Sequence, residues 1–210
     1  MCGLAAIFAY SPEAPKVEKR ELLAVSEAMR ARGPDGSGQW ISANGRVGLA
    51  HRRLAIIDTS EAGAQPMEFK DGGCRIVYNG EIYNFEALRR DLEAKGCVFK
   101  SRSDTEVLLH LYHRYGDEMV ARLRGMYAFA IWDERRRRLL LGRDPFGIKP
   151  LYWADDGKTI RVASQVKALR AGGFAPSGAD PAGHASFFLF GYVAEPHTLY
   201  KDIAALEAGT

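Results

Sequence analysis

Three cysteines in 210 residues, Cys2, Cys74 and Cys97, are too few to staple a small secreted domain, and their wide separation does not fit a zinc site. A disulfide framework is excluded on that count, and a reducing, cytoplasmic setting is expected. No apolar run reaches the roughly 18 residues a membrane-spanning helix needs. The first apolar stretch, Gly3 to Ala9, has no basic residue ahead of it and breaks at Ser11-Pro12, so it reads as neither signal peptide nor anchor. Charge of one sign is also scarce: 29 Lys+Arg against 26 Asp+Glu leave +3, which makes no case for nucleic acid or an anionic membrane as partner. No period of about 20 to 50 residues recurs, and no segment is low in complexity. The remainder, 47% hydrophobic and 26% charged, is an ordinary globular composition at a length suited to one generous domain or two small ones.

Leu4 to Phe8 is a short continuous apolar run, as expected of a strand buried on both faces. Leu22, Val25, Ser26 and Met29 recur on one helical face between Lys16 and Arg30, and Gly33-Pro34 ends that helix. The Gly- and Pro-dense stretch Arg32 to Gly38 predicts a shaped loop. Strands are expected over Gln39 to Ser42 and Val47 to Leu54, turning at Asn44-Gly45, and over Cys74 to Tyr78, ending in a turn at Asn79-Gly80. Asn84 is placed to cap a helix over Phe85 to Lys95, and Ser103-Asp104-Thr105-Glu106 has the form of a capping box for a second helix. Hairpins follow at Met126 to Gly142 and Leu151 to Ala163, and the four-arginine run between Arg135 and Arg138 reads as a solvated hairpin tip. Strands in hairpins with three or four helices make an α+β domain. From about Ala175 the chain turns to Gly, Pro and Ala, with an apolar Phe187-Phe188-Leu189-Phe190 cluster that reads as a connector or docking segment.

A cysteine at position two has chemical consequences if the initiator Met is removed, because thiol and free α-amine then share one residue. With reference pKa values of about 8.5 and 7.7 to 8.0, the amine can accept the thiol proton near neutrality. A nucleophile attacking an amide also needs donors for the oxyanion that forms, and Asn79-Gly80 offers a side-chain amide beside an unhindered backbone N–H. Arg53 is a fork-shaped cation suited to a carboxylate, while Glu81 and Asp104 supply anions for an ammonium. Taken singly, each residue also has a structural reading: Cys2 as the start of a buried strand, Asp104 as a helix-start carboxylate facing the dipole.

The set Met1-Cys2-Gly3, Arg32-Gly33-Pro34-Asp35, Ala50-His51-Arg52-Arg53-Leu54, Tyr78-Asn79-Gly80-Glu81-Ile82-Tyr83-Asn84, Ser103-Asp104-Thr105-Glu106 and the run Gly142 to Tyr152 stands in one order along the chain. In that order it resembles the class II glutamine amidotransferases, and most nearly the N-terminal glutaminase domain of the asparagine synthetase type. The resemblance implies a four-layer α/β/β/α N-terminal-nucleophile hydrolase fold with two antiparallel sheets. It implies Cys2 as nucleophile, its own amine as base, and Asn79 with the Gly80 N–H as oxyanion hole. It further implies Arg53 on the glutamine carboxylate, with Glu81 and Asp104 on its ammonium. No metal or cofactor is implied for glutamine hydrolysis, while ATP and Mg belong to a synthetase domain that would receive the ammonia.

On this reading residues 1–175 are the glutaminase domain and 176–210 connect toward an absent ATP-dependent synthetase domain, with a homodimer as one possible assembly. The same type of domain serves acceptors other than aspartate, and a non-catalytic docking module is the alternative from a different class. Two positions depart from the family pattern: Ala31 stands where a His is usual, and Gln165 where a Glu is usual. Loop rigidity and domain contacts are the properties those departures put in question.

Overall fold

A computed structural model describes every residue from Met1 to Thr210. Its strands form two antiparallel sheets. The larger has the order β10-β8-β9-β1-β3-β2, and the smaller the order β4-β5-β6-β7. These are β1 (Gly3–Ala9), β2 (Gly36–Ile41), β3 (Val47–Arg53), β4 (Met67–Glu68), β5 (Cys74–Ile82), β6 (Gly125–Asp133), β7 (Arg138–Arg143), β8 (Tyr152–Asp155), β9 (Thr159–Ala163) and β10 (Ile203–Ala205). The helices are α1 (Lys19–Ala28), α2 (Phe85–Ala94), α3 (Asp104–Tyr115), α4 (Val166–Ala171) and α5 (Pro181–Phe190).

The period-two alternation of the strands builds the layers. Along β1, Ala5 and Ile7 join Leu22 and Val25 of α1 and Leu169 of α4, whereas Leu4 and Ala6 face the other sheet. Along β6, Tyr127, Phe129 and Ile131 pack with Leu108 and Leu111 of α3, whereas Ala128, Ala130 and Trp132 face back toward β1. Three cores therefore lie between four layers, helix, sheet, sheet and helix, and the small alanines on the inner faces let the sheets approach. This is the α+β architecture expected from the sequence, with every hairpin in place.

Several local expectations are corrected. The Arg32 to Gly38 stretch is a loop only in part: Arg30–Arg32 form a 3-10 turn, and Gly36 to Gly38 already belong to β2, paired with Arg53 to His51 of β3. Gly33 is required there because a Cβ would stand 2.3 Å from the Arg52 carbonyl carbon. Asn79-Gly80 is not a turn: β5 runs straight through it to Ile82, because Asn79 and Gly80 keep their places opposite Ala128 and Tyr127 in the β6 ladder. Ladder pairing with a long, buried neighbour outweighs the local turn propensity. Asn84 precedes α2 but makes no cap, its amide instead bridging the Arg122 carbonyl and the Arg124 N–H. Only half of the capping box forms: Ser103 accepts from the Thr105 N–H, while Glu106 takes the N–H groups of Lys100 and Ser101.

The last 35 residues return to the body. β10 pairs with β8 at the edge of the larger sheet, and the buried Arg143 guanidinium holds both Glu195 oxygens, at 2.8 and 2.7 Å. Phe188, Leu189 and Phe190 remain 83%, 75% and 64% exposed on α5.

Candidate active site

Register carries the leading thiol to one end of the inter-sheet space. Gly3 pairs with Arg52, so one further step on the same ladder sets Cys2 against Arg53. Cys2 shares the inward parity of Leu4 and Ala6. Across the gap Asn79 shares the parity of Val77, which also packs between the sheets. The Cys2 Sγ accepts from the Leu54 N–H at 3.3 Å and lies 3.6 Å from the Leu54 carbonyl, and the Arg32 Nε donates to the Cys2 carbonyl at 2.9 Å. Burial pushes the Cys2 thiol up from its ordinary pKa; the Leu54 N–H, the chain's terminal ammonium, Arg53 and Arg32 oppose that rise only in part.

A cavity of about 250 Å³ opens here, and all six residues expected from the sequence line it: Cys2, Arg53, Asn79, Gly80, Glu81 and Asp104. The size suits a small polar ligand rather than a drug-sized one. Asn79 is 2% exposed and its Nδ2 has no hydrogen-bond partner, an orphaned donor in a wall of the cavity.

The neighbouring Gly80 owes its open backbone edge to an interrupted ladder. β4 pairs with β5 only as far as Ile76, so from Tyr78 onward the outer edge of β5 lacks a strand. On that edge the Tyr78 N–H donates to Gln65 Oε1 at 2.6 Å, and the Ile82 N–H donates to Asp104 Oδ2 at 3.1 Å. Alternation places the Gly80 N–H between them, on the same edge and facing the cavity. A Cβ at Gly80 would lie 2.4 Å from the Met126 carbonyl oxygen, so only glycine keeps the strand seated.

Charges of both signs border the space. Arg53 is not a free fork: two of its five N–H donors go to the carbonyls of Ser60, at 2.8 Å, and Asp58, leaving three for a ligand. It thereby also ties down the loop after β3. Asp104 is the first residue of α3, 4% exposed, and accepts from the Tyr78 hydroxyl at 2.7 Å. Burial raises its pKa, against the Tyr78 hydroxyl and the Ile82 and Thr105 N–H groups that favour the carboxylate. Its reading as a helix-start carboxylate and its cavity-lining position hold together. Glu81 is exposed at the rim.

Other residues of the site were assigned no role from the sequence, although His51 and Lys149 stand inside two of the motifs quoted above. Lys149, 6% exposed, lines the cavity from a loop whose amides converge on the buried Asp144. Gln65 also lines the cavity, and His51 lies outside its lining. His51 is 1% exposed, and its Nε2 stands 3.0 Å from the Tyr78 carbonyl, which can only accept, so that nitrogen carries the proton and Nδ1 is left without a partner. Of the two departures, Ala31 is exposed in the 3-10 turn, and Gln165 precedes α4 without capping it, its Oε1 buried and unpaired.

Burial, together with the Arg53 charge, lowers the His51 pKa to about 4 despite the Tyr78 carbonyl. An unfolded imidazole titrates near 6.5, so between about pH 6.5 and 4 the unfolded chain binds the extra proton and stability falls with pH, by about 3 kcal/mol in all. Above that window the full stability is present. In His51→Gln the loss of unfolding free energy between pH 7 and pH 4, measured by urea titration, should be smaller than in wild type by that amount; equal losses would contradict the assignment.

A model described as a glutamine amidotransferase domain matches residues 1–210. The chain belongs to that family. Asparagine synthetase [glutamine-hydrolyzing] 1 of Bacillus subtilis is 39% identical over 211 residues, covering 100% of this chain and 33% of the relative. Amidase chry2 of Gibberella zeae is 39% identical over 185 residues, covering 84% of this chain and 27% of the relative. This amidotransferase domain thus spans about a third of the length of the curated relatives it matches. Among solved structures, the glutamine phosphoribosylpyrophosphate amidotransferase of B. subtilis superposes with a TM-score of 0.67 at 26% identity, over 82% of this chain and 44% of that one. The four-layer N-terminal-nucleophile hydrolase fold is thereby shown. No helix of the chain is long and apolar enough to cross a membrane.

Proposed function

We propose that this domain hydrolyses glutamine to glutamate and ammonia through a thioester on Cys2. The observation that carries the reading is the meeting, in one small cavity, of a thiol at the chain's leading end with a buried amide donor that has no partner. With Met1 attached, the nitrogen of Cys2 is a peptide amide and no base. Removal of Met1 makes it an amine beside the thiol, offsetting the burial that otherwise holds the proton on sulfur.

The thiolate attacks the side-chain amide carbon of glutamine, and the resulting oxyanion is met by Asn79 Nδ2 and the Gly80 N–H. Collapse breaks the C–N bond, the α-ammonium of Cys2 returns its proton to the departing nitrogen, and ammonia leaves behind a γ-glutamyl thioester. Water then cleaves the thioester to glutamate and regenerates the thiol. Arg53 takes the substrate α-carboxylate with its uncommitted donors, and Asp104 with Glu81 takes the α-ammonium. The mix of charges around the cavity suits a zwitterion.

The ammonia is used by an ATP- and Mg-dependent synthetase partner that amidates aspartate, as the names and the greater length of the asparagine synthetase relatives favour. The similarity to Amidase chry2 supports a second reading in which the same hydrolysis feeds another acceptor. Three free cysteines fit a reducing cytoplasm. Purified protein given glutamine without ATP should release glutamate and ammonia in equal amounts; release no greater than from Cys2→Ala would overturn the proposal.

A further inference from the structure

The open edge of β5 is closed by side chains where a strand would ordinarily close it. Tyr78 has three polar groups, and each is held by a buried side chain from a different part of the chain. Its N–H donates to Gln65 Oε1 at 2.6 Å, its carbonyl accepts from His51 Nε2 at 3.0 Å, and its hydroxyl donates to Asp104 Oδ2 at 2.7 Å. Gln65 is itself anchored, its Nε2 donating to Thr105 Oγ1 at 3.2 Å on α3. A continuous neighbouring strand would satisfy the same backbone atoms, but it would also fill the cavity that Gly80 faces.

We propose that Gln65 and His51 are positioning residues that splint Tyr78 and thereby aim Asn79 and Gly80 at the oxyanion. Holding the Tyr78 N–H fixes the peptide plane before this residue, and holding its carbonyl fixes the plane after it, from which the Asn79 side chain departs. The Asn79 Nδ2 has no bond of its own to orient it, so its direction is set by that backbone and the packing around it. His51 stands outside the cavity lining, and Gln65, which reaches it, has its oxygen committed to the Tyr78 N–H and its nitrogen to Thr105. The inference rests on the reading of Asn79 and Gly80 as oxyanion donors.

Gln65→Met keeps the length of the side chain and removes the acceptor. Thr105→Val keeps that acceptor and frees the other end of Gln65, a milder variant should the first fail to fold. A misplacement of about 1 Å at a reacting centre can cost on the order of 100-fold. The expected kcat for glutamine hydrolysis therefore falls about 10- to 100-fold in Gln65→Met and about 3-fold in Thr105→Val, with KM within about twofold of wild type. In both folded variants the Asn79 side-chain amide and Gly80 backbone amide NMR resonances should move, and Gly80 should exchange its hydrogen faster. An unchanged kcat, a rise confined to KM, or unmoved Asn79 and Gly80 resonances would overturn the splint. Should the wild type not hydrolyse glutamine at all, the glutaminase reading fails by itself, and the amide resonances alone decide whether Gln65 positions these donors.

Discussion

Cys2→Ala is expected to lower glutamine hydrolysis by on the order of 10⁴-fold or more, because removal of a covalent nucleophile leaves only binding and the oxyanion donors to act on water. The loss should arise with the fold intact. The Sγ is half-buried and its hydrogen bonds are confined to Leu54, accepting from the N–H at 3.3 Å and facing the carbonyl at 3.6 Å, contacts whose removal costs about 1 kcal/mol. In a chain of this length that corresponds to a fall in Tm of about 2 to 4 °C. Thermal melting beside the glutamate assay separates the two quantities. A variant that unfolds far below wild type would make Cys2 a structural residue, and one that retains turnover would remove the thiol from the chemistry. Retention of Met1, for example behind an added N-terminal segment, should have nearly the same effect as the substitution, since it leaves the sulfur but replaces the amine with an amide.

Asn79→Ala should cost about 100- to 1,000-fold in kcat with little change in KM. Asn79 Nδ2 is buried and free of protein partners, so it is available where negative charge develops and contributes little to holding the uncharged substrate amide. The same availability makes the substitution inexpensive for the fold: no bond to that nitrogen is broken, and the alanine resembles the Ala128 it faces across the ladder. Steady-state kinetics over a range of glutamine concentrations distinguishes the outcomes. A large rise in KM at constant kcat would place Asn79 in ground-state binding, and an unchanged kcat/KM would remove it from the site.

The architecture was readable where periodicity is strong. The continuous apolar run of β1, the helical stripe of Leu22 and Val25, and the hairpins around Gly45, between Met126 and Gly142, and between Leu151 and Ala163 all appear as their patterns require. Asn79-Gly80 reads as a turn because the dipeptide is locally turn-prone, whereas the pairing that holds it straight comes from β6, more than 40 residues away in the chain. Cys2, Arg53, Asn79, Gly80, Glu81 and Asp104 were found through family resemblance, since single residues of these types usually have structural explanations. Gln65, His51 and Lys149 have no role assigned from the sequence, although the last two stand in the resembling motifs, because what they do depends on what folding brings beside them. A glutamine before a proline, a histidine in a strand and a lysine in a loop have no distinctive spacing. What marks Gln65 is the early end of β4, and that follows from the tertiary pairing of one short strand.

The account depends on a thiol and an amine sharing the first residue of the mature chain. The most direct measurement is intact-protein mass spectrometry before and after treatment with a chloromethyl ketone analogue of glutamine, followed by peptide mapping. The predicted result is a chain lacking Met1 that gains one adduct, located on Cys2 and suppressed by excess glutamine. An adduct that forms as fast with Met1 still attached, or one that falls on Cys74 or Cys97 and leaves Cys2 untouched, would contradict it.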